Sequence, residues 1–161
     1  EDKRREHVLF RFYLPWDDGS ETATHVKSWV SEHNRTIERV YVSADGRLYA
    51  GGKRIRFLGV NIGGATCFPK KEDAERIARR LAKFGINLVR LHGIDANWER
   101  VNIFGGYSAP TTRSLDPEAL DRLDYFIARL RGNRIYVNLN LLVAQRFKAA
   151  DGLPQEIEQV D

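Results

Sequence analysis

The chain has 161 residues, enough for one ordinary domain with a buried core. Its net charge of +4 is the small difference between 26 basic and 22 acidic residues. These are interspersed, as in Lys70-Lys71-Glu72-Asp73, so the concentrated basic face of a nucleic-acid binder is not expected. Cys67 is the only cysteine, which excludes an intrachain disulfide and implies no metal cluster, and no apolar run approaches a membrane span.

Taken in chain order, Glu1 to Glu6 is charged, and His7 to Leu14 reads as a strand stopped by Pro15. Asp17-Asp18-Gly19-Ser20 is a turn signal, and Thr24 to Arg35 reads as partly extended. Val40-Tyr41-Val42 and Arg47-Leu48-Tyr49 flank Asp45-Gly46, a dipeptide that tolerates the positive φ of a tight hairpin turn. Arg54 to Ile62 is the next expected strand. A helix is expected over Glu72 to Phe84, where Ile77, Leu81 and Phe84 recur at helical spacing. Its acids come first, its bases last, and Gly85 ends it.

Ile86 to His92 is the following strand, and a long loop rich in Gly, Ser, Thr and aromatic residues comes after it. Asp116-Pro117 opens a second helix as cap and first residue, with Leu120, Leu123, Ile127 and Leu130 on one side and an end near Gly132. Ile135 to Val143 is the third strand. The order strand–helix–strand–helix–strand requires an α/β fold with parallel strands and right-handed crossovers.

Parallel strands are covered on both faces and should read as apolar runs. Here Asn61, Arg90, His92, Asn138 and Asn140 interrupt three strands, each on one parity and near the carboxyl end. Any one of them reads most simply as a satisfied core group, Arg90 in an ion pair for example. Left unpartnered and buried, each would cost about 2–7 kcal/mol, so five on one side imply a hydrogen-bonded network. Such a network would floor a polar pocket suited to a polyhydroxylated ligand. In an α/β barrel that side is the lumen, whose carboxyl end carries the active site.

The run Asp45-Gly46-Arg47-Leu48-Tyr49-Ala50-Gly51-Gly52-Lys53-Arg54-Ile55-Arg56-Phe57-Leu58-Gly59-Val60-Asn61 resembles the start of glycoside hydrolase family 5 and related clan A enzymes, the cellulases and mannanases. Gly85-Ile86-Asn87-Leu88-Val89-Arg90-Leu91 resembles their second barrel strand, Leu115 to Leu123 their second helix opening, and Arg134 to Leu141 their third strand. The ordered set covers about residues 45–155. It implies a partial TIM-type (β/α) barrel over 45–161, preceded by an extension, 1–44, that matches nothing.

By the same resemblance Arg90 takes the place of the arginine that supports the nucleophile, and Asn61 that of a structural first-strand asparagine. The family's third-strand histidine is replaced by Leu142, so Asn140 or His92 is expected to serve instead. The implied activity is endo-β-glycanase hydrolysis of a β-linked polysaccharide or oligosaccharide, secreted and with no cofactor. Secretion is inferred from the family and from the absent methionine at position 1.

The family's two catalytic glutamates follow its fourth and seventh strands and have no counterpart in the matched stretch. Local acids that could substitute are Asp95 and Glu99, in the loop beside Trp98, and Asp151, Glu156, Glu158 and Asp161 after the third strand. Asp95 and Glu99 are the candidates taken, with Trp98 and Tyr107 as stacking surfaces for a sugar ring. Loop acids are also ordinary surface residues. The alternative is a non-catalytic carbohydrate-binding or structural fragment. Three strands do not close a barrel, so pairing of two copies into a homodimer is a further expectation.

Overall fold

The computed structural model describes residues 13–27 and 37–159. The expected strand His7–Leu14 falls largely outside them; Tyr13 and Leu14 belong to no strand. The expected extension over Thr24–Arg35 is described only to Lys27, and that part pairs with no sheet.

Among the described residues, two three-stranded sheets and two α-helices make up a mixed α/β fold. The first sheet is antiparallel: β1 (Val40–Val42), β2 (Leu48–Ala50) and β3 (Lys53–Arg54), paired in that order. Gly46 takes φ +73 in the turn, and Asp45 accepts the Arg47 amide and the Tyr49 hydroxyl. Tyr41 and Tyr49 stack across the pair, 6.0 Å apart.

The second sheet is parallel, with consecutive neighbours β4 (Gly59–Gly63), β5 (Leu88–His92) and β6 (Tyr136–Leu139). The expected strand Arg54–Ile62 is therefore two elements, since Arg54 completes the hairpin sheet and only Gly59 onward joins the parallel one. The break has a physical cause in Asn87. Its buried side chain accepts the Leu58 amide at 2.7 Å and donates to Arg56 O at 2.8 Å, holding 56–58 by side-chain bonds in place of a ladder. The third strand also ends before Val143. It stops at Leu139, the Asn140 amide still bonds to Leu91 O at 3.0 Å, and Leu142 then takes the left-handed φ +53.

Helix α1 (Lys71–Lys83) links β4 to β5, and α2 (Pro117–Gly132) links β5 to β6. Asp116 Oδ1 accepts the Ala119 amide at 2.7 Å, so the cap and the first-turn proline work as the sequence indicates. Ala74, Ala78 and Ala82 on α1 and Ala119, Leu123, Phe126 and Leu130 on α2 form one core with Val89 and Leu91 of β5. Small residues along α1 let that helix lie close, while Phe126 and Leu130, fully buried, fill the space.

Residues 13–27 strap the end of α1. Lys83 is fully buried and places its Nζ 2.6 Å from Asp18 Oδ2, while Arg80 donates to Asp18 O at 2.9 Å and Val26 N to Lys83 O at 2.8 Å. No described helix is long and apolar enough to cross a membrane.

Candidate functional site

Parallel pairing sets the polar residues in rows. Asn61 pairs with Arg90 and Arg90 with Asn138, so the three side chains project from the same face. All three are exposed, whereas Val60, Val89 and Val137, one residue earlier in each strand, pack toward the core. The helices thus cover one face, and the parity read from the sequence is the parity of the other. Arg90 Nε donates to Asn140 Oδ1 at 2.7 Å, which joins β5 to the residue just past β6. Arg90's recorded side-chain partner is thus a neutral amide, and no carboxylate of the described residues forms an ion pair with it.

At the carboxyl ends the chain turns sharply. Gly63 is level with His92, and His92 Nδ1 is buried with no hydrogen-bond partner among the described residues. Gly64 has φ +57, which favours glycine, and the carboxylate of Glu99 occupies the space where a Cβ would stand. Glu99 is thereby placed at the end of β4. Its negative charge also reaches Cys67. Burial pushes the Cys67 thiol up to about 11, a hydrogen bond with the His92 backbone opposes this, and the Glu99 charge adds to it. The thiol stays neutral and inert at ordinary pH.

Asp95 is buried, and its Oδ2 accepts the amides of Val143 at 2.7 Å and Ala144 at 3.3 Å. It clamps the loop after β5 to the turn after β6 that Leu142 forms. Its other oxygen, Oδ1, is buried without a hydrogen-bond partner among the described residues. Trp98 is 69% exposed, and so stands clear of the core as a stacking surface would. The structure therefore brings Asn61, Arg90, Asn138 and Asn140 together on one face, sets His92 and Glu99 at its carboxyl edge, and gives Asp95 a positioning task.

A cavity of about 450 Å³ lies beside this face, between the loop 93–116 and the segment after β6. Asp95, Asn97, Phe104 and Tyr107 line one side, and Gln145, Phe147 and Lys148 the other. Its walls are tied together. Gln145 Nε2 donates to Thr112 Oγ1 at 2.9 Å, Lys148 Nζ donates to Ala109 O, and Asp151 accepts the Thr111 hydroxyl at 2.6 Å and the Thr112 amide at 2.5 Å. These bonds, the Thr111 hydroxyl first, hold the Asp151 carboxyl well below the usual carboxylate range. Asn102 shapes the loop from within, accepting the Phe104 and Gly106 amides and donating to Ala96 O.

Sequence reasoning misses this cavity, because its two walls lie far apart in the chain. The one local signal is Asn102 followed by Gly105-Gly106, an asparagine that can turn its own backbone. Comparison with family models, with curated proteins and with solved structures finds no match for this chain.

Proposed function

We propose that the chain contributes the first three strands of a (β/α) barrel of glycoside-hydrolase type, secreted and acting on β-linked polysaccharide. The observation that carries this reading is the exposed row Asn61–Arg90–Asn138, joined by Arg90 to Asn140, on the sheet face opposite the helices. Donors and acceptors fixed on strands suit a ligand with many hydroxyl groups, since each hydroxyl both donates and accepts. The ordered resemblance over 45–155 supports the same reading. Further strands, from additional chain or from a second copy, would pair with the outer edges of β4 and β6 and turn the polar face into a lumen.

Glycosidic hydrolysis with retention uses two carboxyls about 5–5.5 Å apart. Glu99, whose carboxylate lies over Gly64 at the end of β4, is the acid assigned to reach a ligand on the polar face. A second reading, carbohydrate binding without hydrolysis, is favoured by Asp95, whose Oδ2 is committed to two backbone amides and which is buried.

The test is reducing-sugar release and sedimentation with insoluble β-1,4-glucan, mannan and xylan, with the Asp95→Asn/Glu99→Gln double variant alongside. Release that the double variant loses with its Tm unchanged supports hydrolysis that depends on these acids. Binding without release supports the second reading. Neither binding nor release on any of the three polymers would overturn both.

A further inference from the structure

We propose that the cavity between the loop 93–116 and the segment after β6 is a site for a single neutral pyranose unit, and that in a polysaccharide it takes a side-group sugar. The assignment to a side group rests on the polysaccharide reading above; the sugar site itself does not. The cavity shares no lining residue with the row Asn61–Arg90–Asn138, so a main chain lying across that row would not fill it.

Three features select the ligand class. Asp95, 4% exposed, is part of the lining, and its Oδ1 is buried with no hydrogen-bond partner among the described residues, an acceptor that a ligand hydroxyl would satisfy where the wall gives way to it. Tyr107 and Phe147, 58% and 43% exposed, add flat apolar surface to the lining, which also includes the side-chain amides of Asn97 and Gln145. The charges cancel: Asp95 and Glu158 stand against Arg146 and Lys148. Glu158 is moreover bonded to the Ala149 amide at 2.9 Å and Lys148 to Ala109 O, so these charges serve the walls and no net field favours an ionic ligand. A volume of about 450 Å³ is at the lower end of the range of small-molecule sites.

The experiment is isothermal titration calorimetry of the chain with linear cellotetraose, with the same backbone bearing xylose side groups, and with free xylose. The variants are Tyr107→Ala, Phe147→Ala and, for the sheet face, Asn138→Ala, each with its Tm measured to confirm folding. The substituted oligosaccharide is expected to bind about tenfold more tightly than the linear one, a difference near 1.4 kcal/mol. Tyr107→Ala and Phe147→Ala should erase that advantage, while Asn138→Ala weakens both ligands alike. Equal affinity for the two, or an advantage that survives both aromatic variants, overturns the inference. If linear binding persists and falls in Asn138→Ala, the polysaccharide reading stands without it. If free xylose binds through Phe147 and the linear ligand does not, the sugar site stands and the polysaccharide reading falls. Binding of none of the three removes both.

Discussion

The two faces of the parallel sheet are built from the same three strands and do opposite work. On one parity Val89 and Leu91 are fully buried against α1 and α2. On the other, Asn61, Arg90 and Asn138 are exposed at the same level of the sheet. Burying a valine or leucine side chain contributes roughly 1.5–3 kcal/mol, so the helix-facing parity is where the fold's stability resides. The polar parity adds little to stability. On the reading proposed above, stability and recognition are separated by one residue along each strand.

The contrast is broken most directly from the apolar side. Phe126→Ala, in the middle of the core, is expected to cost about 3–5 kcal/mol, read from urea unfolding. A loss under 1 kcal/mol would mean that α2 is not the cover of this face.

Next in size is Gly106→Ala. Gly106 has φ +93, and a Cβ there would collide with the Arg100 carbonyl, so the loop lining the cavity must move. A loss of about 1–3 kcal/mol is expected. Hydrogen exchange should rise across 99–109 and stay unchanged in β5; equal change in both would show that loop and sheet are not separable.

Asp18 tests the strap by pH. Bonding to Lys83, then to Ser20, depresses its folded value below the usual carboxylate range near 3.9. A depressed acid stabilises the fold above its unfolded value and loses that contribution as pH falls through its folded one. Asp18→Asn should therefore lower Tm at pH 7, and the gap to the parent should narrow between pH 5 and pH 2. A gap constant with pH would remove the Lys83–Asp18 pair from the account.

Much of the sheet was legible because period and parity survive in sequence. The polar residues at 61, 90 and 138 mark the uncovered face, and the Asp116-Pro117 cap marks the start of α2. What the sequence concealed depends on side chains that act on distant backbone. Asn87 splits the strand expected over Arg54–Ile62, and the one expected to reach Val143 stops at Leu139, ahead of the turn that a left-handed Leu142 makes. Neither residue type announces that role. Asp95 reads as a loop acid available for chemistry, yet the partners that occupy its Oδ2 are amides nearly fifty residues later. The buried pairing of Lys83 with Asp18 is hidden for the same reason, since a lysine late in a helix looks like a response to the helix dipole.

The smallest expected effect on stability is also the sharpest test of the central claim, that the polar parity of the sheet faces a ligand. Arg90→Gln should leave the unfolding free energy within about 0.5 kcal/mol of the parent, as for other exposed positions. Its affinity for cellohexaose, measured by calorimetry on the same preparation, should fall at least about tenfold, or 1.4 kcal/mol. An unchanged affinity, or a large loss of stability in its place, would make Arg90 a structural residue and contradict the division between the two faces.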